Sequence, residues 1–543
     1  KINTDKNLRG VDVEEADGIQ DIGETFSSIF GSFIGEGEKN DYWFKGNKSK
    51  FYRNLFSVDT KPNTNSNSNA KSYITLDSFS DNKNKMSFNV SFGNDLIKKV
   101  FETKLNFIQS DKNELITLRN NNSLDYFLTD DKDIVKIASD GKILNRLKNF
   151  TDQNRIAGIV FDGIQYLVGS LNEIINVYSF NLFTKEEKIS SFKSLYAITT
   201  PLVLVNQSNG LQLNAGSQNG YLISIQINDI VNGKVSNVNY QNITNGSLLQ
   251  INREYNSINT KYFSAISNNE FYQSNLNISN QLVNRNFKRN VLIKNSNGEY
   301  VNVALSDYLG KNHFDVILQD KPKYSFDFLN NIQSNNFSVA DLFNDGRLLI
   351  IINNGSELVV LNENGTVIEN FPLSAGDNKK FIGTPFIVDL NKDGIQEILI
   401  TNNLGELNVY NVKDGKIFSG FPVKITNTEI VNSFLYEEEL PTMGPIPQYK
   451  PLLISIDKQK NFSVWQLSGF QGKSFWKSNF SNSTNNSFIE LTNKQQTISE
   501  YFPLEKAYNW PNPVYGNTTN IRFYVSEESK VKIRIFDLAG ATI

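Results

Sequence analysis

Phe386 to Ile400 reads F-I-V-D-L-N-K-D-G-I-Q-E-I-L-I, an oxygen-rich loop between two apolar strand halves. Asp389, Asn391 and Asp393 stand at alternate positions, Gly394 permits a sharp turn, Ile395 offers its carbonyl and Glu397 closes the set. Hard cations take oxygen ligands in this order around a tight turn, so the stretch predicts a structural calcium loop in a β-propeller blade. The simpler alternative is an acidic turn joining two strands.

Degenerate copies precede it at Val303 to Leu318 (V-A-L-S-D-Y-L-G-K-N-H-F-D-V-I-L) and at Ser338 to Ile352 (S-V-A-D-L-F-N-D-G-R-L-L-I-I-I), so the first Asp recurs at 307, 341 and 389. In the second copy Phe343 and Leu349 replace two ligands, leaving Asp341 and Asp345 too few to hold calcium well. In the first, Lys311 takes the place of Asp393, and its ammonium is expected to substitute for the ion. One loop reads as metal-competent and two as vestigial. Over residues 303 to 425 these units resemble the FG-GAP repeats of integrin-like and bacterial surface propellers.

The strand pair after each loop recurs more widely: Tyr126 to Ile137, Tyr166 to Tyr178, Gln212 to Ile225, Leu349 to Leu361, Ile398 to Tyr410 and Leu453 to Trp465. Each is an apolar run, a short polar turn and an alternating strand. Their starts are 40, 46, 137, 49 and 55 residues apart, and the long step leaves room for weaker copies near Phe263 and Phe314. A period of about 40 to 50 residues with several strands per repeat is the mark of propeller blades. Alternation with period two makes these half-buried strands rather than helices. The reading is therefore all-β: an N-terminal part with a short β segment over residues 1–97, a propeller of seven or eight blades over 98–500, and a short C-terminal β fragment over 501–543.

Composition agrees. At 543 residues and 39% hydrophobic content the chain is long enough for several domains and a substantial core, and its 39 Phe and 22 Tyr suit packed strands. Net charge is only −3 with Lys and Arg scattered, so nucleic acid is not an expected partner. The absence of cysteine excludes disulfides, thiolate zinc sites and cysteine nucleophiles. No apolar run approaches the length of a membrane helix, which predicts no transmembrane segment.

Near the N-terminus, Arg9 to Gly18 reads R-G-V-D-V-E-E-A-D-G, followed by Ile19-Gln20-Asp21-Ile22-Gly23 and by strands expected at Tyr73 to Leu76 and Met86 to Phe92. This is similar to the region just after the catalytic core of M6-type (immune inhibitor A-like) secreted metallopeptidases, over at most residues 1 to 95. The resemblance implies a zinc-bearing peptidase domain upstream of Lys1, and the start at Lys1 without Met or a signal peptide, in a chain otherwise read as exported, leads us to expect a mature or processed product. Such enzymes bind zinc through H-E-x-x-H, two imidazoles one helical turn apart. The one histidine, His313, cannot form that site and reads as a surface group in a loop. Within Asp12, Glu14, Glu15 and Asp17, a structural cation and a solvated acidic turn are both open. Ile22 to Gly37 reads as helix or coil, with Phe26, Ile29, Phe30, Phe33 and Ile34 offered to the upstream part.

At the other end, Ala507 to Gly540 reads A-Y-N-W-P-N-P-V-Y-G-N-T-T-N-I-R-F-Y-V-S-E-E-S-K-V-K-I-R-I-F-D-L-A-G, with strands expected at Ile521 to Val525 and Val531 to Phe536. It is similar to the start of the immunoglobulin-like domains shared by FlgD-like modules and the type IX secretion sorting signals of Bacteroidota-related bacteria. Two strands cannot bury a core, so the natural chain is expected to continue.

Three functional readings stand. The chain is the non-catalytic C-terminal part of an exported M6-like zinc metallopeptidase, serving attachment to a protein substrate or a surface. Alternatively it is a bacterial cell-surface adhesin or extracellular assembly subunit with a degenerate peptidase-like region. The third is a propeller enzyme acting alone, but carboxylates such as Asp130, Asp131 and Asp133 read as loop charges rather than a glycosidase pair. Trp43, Trp465, Trp476 and Trp510 are too dispersed for a cofactor box and read as core packing.

Overall fold

The computed structural model describes residues 13–491, apart from 20, 30, 67, 93–95, 108–112, 122, 153–154, 255–261, 275–276, 279–281, 283, 319–320, 329–335, 392, 441–447, 468–473 and 478–480, together with 508–510, 519–523 and 530–535. The chain divides into two compact units, Lys1–Thr492 and Asn493–Ile543.

The first unit is an eight-bladed β-propeller with a β-rich N-terminal segment. Blades 1 to 7 are four-stranded antiparallel meanders built in chain order, beginning at Leu115–Asn120, Ile156–Phe161, Val203–Gln207, Leu248–Arg253, Asn286–Lys294, Phe337–Ala340 and Phe381–Val388. The inner strands of most successive blades abut, and so form the wall of a central channel. Blade 8 takes three strands from the C-terminal side, Ile430–Leu440, Gln448–Asp457 and Asn461–Gln466. Its outermost strand comes from the other end of the ring: Lys98–Lys104 pairs with Asn461–Gln466, Phe101 opposite Val464. Backbone pairing thus fastens the two ends of the ring together.

All six strand pairs read from the sequence are the second and third strands of blades 1, 2, 3, 6, 7 and 8. The weaker copies expected near Phe263 and Phe314 are the middle strands of blades 4 and 5. Middle strands are covered on both faces by neighbouring blades, which is why they read as apolar runs. One apolar cluster bridges blades 1 and 2 through Ile116, Phe127, Leu167 and Tyr178, and another bridges blades 8 and 1 through Phe462, Ile454, Tyr126 and Leu128. Each such side chain contributes about 1.5–3 kcal/mol when fully buried.

In the N-terminal segment a hairpin, Thr25–Ser28 with Gly31–Ile34, occupies the stretch expected to be helix or coil. Cross-strand stacking of Phe26 on Phe33, centroids 5.5 Å apart, favours the hairpin, and Gly31 at φ +117° supplies the turn conformation a helix would not use. Phe30 lies outside the described residues. A three-stranded sheet follows, Leu55–Phe56, Ile74–Asp77 and Asn89–Phe92. It is anchored on blade 7, where Lys71 exchanges backbone bonds with Pro422 and Lys424 and the Tyr73 hydroxyl donates to the Gly420 carbonyl at 2.6 Å.

After blade 8 the chain turns into the channel. Ser474–Trp476 pairs with the inner strand of blade 7, and Phe488–Glu490 runs parallel to the inner strand of blade 5. Between them, Ser483 and Thr484 carbonyls accept from the Gly158 and Leu204 amides at 2.9 and 3.1 Å, and the Asn486 and Ser487 carbonyls accept from Arg253 and Leu292. The Asn485 side-chain amide donates to the Ile156 carbonyl at 2.6 Å and the Leu202 carbonyl at 3.1 Å. Inner strands have no sheet neighbour on their channel edge, and this polar segment supplies the missing partners.

In the second unit, Tyr508–Trp510 pairs antiparallel with Asn520–Arg522. The strand expected over Val531 to Phe536 is not formed: Val531 to Ile535 carry no regular structure and Val531, Ile533 and Ile535 are about half exposed, while Phe536 lies outside the described residues. An alternating pattern without a paired neighbour has no ladder to hold it.

Candidate functional site

The loop between the first two strands of blade 7 repeats the loop at the same place in blade 6. In blade 6 the Asp341 carboxylate accepts from the Asp345 amide at 3.1 Å and the Gly346 amide at 2.7 Å. In blade 7 Asp389 accepts from the Gly394 amide at 3.1 Å. Gly346 and Gly394 share φ near +85°, at +84° and +86°. The loops also touch, the Gln396 amide donating to the Leu342 carbonyl at 2.8 Å.

Their charges differ in a way the pattern of ligands alone did not reveal. Arg347 binds Asp345 through Nε at 2.7 Å and Nη2 at 2.6 Å while lying over the Phe343 ring, so blade 6 carries its own cation. The residue in that position of blade 7 is Ile395, and where blade 6 has Leu349, blade 7 has Glu397. Glu397 is 1% exposed; its Oε2 accepts from the Leu390 amide at 2.7 Å, and its Oε1 is buried with no hydrogen-bond partner. Burial, reinforced by the negative charges of Asp393 and Asp389, pushes its carboxyl up to about 8. Asn391 and Asp393 are exposed and order the turn, Asp393 accepting from the Ile395 amide at 2.8 Å and Asn391 from the Asp393 amide at 3.0 Å. Asp393 and Glu397 have no ion-pair partner among the described residues. Glu397 Oε1 is thus an open oxygen at the base of the loop, but the carboxylates of Asp389, Asp393 and Glu397 are not gathered within 4.8 Å of one another.

The unit at 303–318 is not a third copy of this loop. It forms the second and third strands of blade 5, turning at Leu309 and Gly310, whereas the other two loops join first and second strands. Lys311 therefore does not replace an ion beside Asp307; it pairs with Asp327 at 3.3 Å.

His313 lies on the third strand of blade 5 and is 6% exposed, not at the loop surface. Its Nδ1 meets Asp327 Oδ1 at 2.7 Å, its Nε2 lies 3.1 Å from Arg285 Nη2, and Arg285 in turn grips Asp315 at 2.7 Å and stacks on Tyr308 at 3.8 Å. Burial opposes a charge on His313, but hydrogen bonds to Asp315 and Asp327 outweigh it and raise its pKa. Asp315 is fully buried, yet His313, Arg285 and Ser325 bring it down to about 2. This is a packing network tying strands together. Asp130 and Asp133 similarly share Arg146, with Asp133 at 3.2 Å, while Asp131 sits at the turn between them.

Of the N-terminal acidic residues, Asp12 lies outside the described residues and Glu14 is exposed. Among the described residues, Glu15, Asp21 and Asp41 form the group of three carboxylates whose oxygens all lie within 4.8 Å of one another. Glu15 accepts from the Asp21 and Ile22 amides, both at 2.9 Å, and Asp41 from the Glu38 amide, so the group stitches loops together. Asp17 caps its own turn through the Ile19 amide at 3.0 Å. Trp465 and Trp476 are buried, and Trp43 packs on Phe56 at 4.8 Å.

No protein-family model and no curated protein matches the chain. Among solved structures it is similar to the β-propeller proteins Sqt1 from Chaetomium thermophilum (8% identity, 68% of this chain and 98% of that one, TM-score 0.43), the dihydro-heme d1 dehydrogenase NirN in complex with DHE (10%, 70% and 78%, 0.40) and BBS1N in complex with ARL6DN (9%, 69% and 97%, 0.39).

Proposed function

We propose that this chain is a non-catalytic, calcium-stabilised propeller of an exported bacterial protein, serving attachment to a protein or surface ligand. The observation that carries the reading is the occupied channel. The central channel of a propeller is a natural place for a small ligand, and here Ser474–Trp476 and residues 481–491 pair with the inner strands that line it. Recognition is then left to the rims and outer faces, surfaces suited to macromolecules. His313, the one imidazole able to serve as a general base, is held in a packing network.

The resemblance at Arg9 to Gly18 supports placing the chain after a zinc peptidase domain of the M6-like type; the adhesin reading keeps the same attachment role without the peptidase. Calcium at Asp389, Asn391, Asp393, the Ile395 carbonyl and Glu397 would supply charge neutralisation, holding the turn that Arg347 holds in blade 6. The experiment is peptide mapping and intact mass of the native protein with any copurifying chain. An upstream H-E-x-x-H peptide supports the peptidase accessory reading; a native protein lacking one supports the adhesin.

A further inference from the structure

Between blade 1, blade 8 and the channel segment lies a recessed cavity of about 110 Å³. Buried waters need only about 10–15 Å³ each on this measure, so the space admits a molecule of several heavy atoms. At one side stands Glu114, 7% exposed. Its amide donates to Thr129 Oγ1 at 2.8 Å and its carbonyl accepts from the Thr129 amide at 3.0 Å, but its carboxylate has no hydrogen-bond or ionic partner among the described residues. Lys477, also on the cavity wall, is already paired with Glu437 at 2.5 Å. Phe434, Leu435 and Ile454 give the cavity an apolar wall, and Ser483 bounds it from the channel side.

We propose that this cavity binds a small primary ammonium, either an alkylamine or the tip of a lysine side chain, with Glu114 as its counter-charge. One unpaired carboxylate matches a single positive charge, whereas calcium would require several more anionic oxygens. The apolar wall suits a short alkyl chain, which a bare monovalent ion would leave uncovered. Leaving a lone carboxylate charged in such a place is costly, and burial pushes Glu114 up to about 8, so that at neutral pH a proton occupies the place an ammonium would take.

The test is calorimetric titration of the full chain with n-butylammonium chloride, 1-butanol, tetramethylammonium chloride and N-acetyl-lysinamide. Butylammonium is expected to bind with Kd on the order of 1 mM, reasonable for so few heavy atoms, and at least tenfold more weakly to Glu114→Gln, which keeps the shape. Butanol and tetramethylammonium should not bind. Binding of N-acetyl-lysinamide as well assigns a lysine side chain as an accessible source; its failure beside butylammonium binding assigns a free amine. Ser483→Leu, which fills the cavity from the channel side, should block binding while leaving Glu114 in place. No butylammonium binding to the wild type, or equal binding to both variants, overturns the proposal.

Discussion

Asn485 is the side chain on which closure of the channel most depends. It is 4% exposed, and its amide reaches at once the Ile156 carbonyl on the inner strand of blade 2, at 2.6 Å, and the Leu202 carbonyl just before the inner strand of blade 3, at 3.1 Å. Removing a donor from a buried acceptor costs roughly 1–3 kcal/mol per acceptor, so Asn485→Ala should destabilise by about 3 kcal/mol. Asn485→Asp is the sharper test, because it is isosteric yet sets a carboxylate against two carbonyls; it should cost more than Ala. Trp476, fully buried at the entry of the same segment, reports the event by its fluorescence. Urea unfolding followed at the tryptophan emission should show an earlier transition with a red shift for both variants, Asp preceding Ala. If Asn485→Asp unfolds with the wild-type midpoint, the segment does not supply the inner strands with their hydrogen-bond partners and the closed-channel argument fails.

The ion pair between blade 1 residues Lys136 and Asp125, 3.3 Å apart and both under 10% exposed, sits under Tyr178, whose hydroxyl takes a bond from Lys136 at 3.0 Å. Lys136→Met strands Asp125 and should cost about 3 kcal/mol in chemical unfolding, with more than 1 kcal/mol recovered in Lys136→Met/Asp125→Asn. For His313, a pKa raised in the folded state means that its stabilisation is fully present below the unfolded value near 6.5 and is lost as pH rises through the folded value. His313→Gln should therefore lower the melting temperature more at pH 5.5 than at pH 8.5; equal losses at both would remove protonation from the account. Arg347→Gln should leave Asp345 without its internal cation and lower the melting temperature by a margin that added calcium does not restore, since the loop has too few oxygens to hold the ion; full rescue by calcium would overturn that reading of blade 6.

The blades were legible where burial is two-sided. Leu349 to Leu361 and Ile398 to Tyr410 are apolar because neighbours cover both faces, and their period gives the architecture directly. Outer strands such as Glu187–Lys193 face solvent and carry a mostly polar sequence that a strand shares with a loop. The channel segment was invisible for a related reason. S-N-S-T-N-N-S has a linker's composition, but here those amides and hydroxyls answer unpaired backbone groups, a demand that exists only once the ring is closed. A usable signal was missed in N-F-P-L and G-F-P-V at residues 370–373 and 420–423, where Phe371 and Phe421 are buried at matching positions of blades 6 and 7. At the blade 7 loop the spacing of oxygens is readable in the sequence, while the exchange of Arg347 for Ile395 and of Leu349 for Glu397 gains meaning only when the two loops lie side by side. Glu114 could not be found from sequence, since an acidic residue before a strand reads as solvated until its surroundings are known.

The most direct measurement is calcium binding to the full chain, made by calorimetry and by melting with and without chelator. One calcium per blade 7 loop is expected, raising the melting temperature of the wild type and leaving Asp389→Ala and Glu397→Gln unmoved. A wild type that melts at the same temperature in calcium and in chelator would contradict the account at its centre.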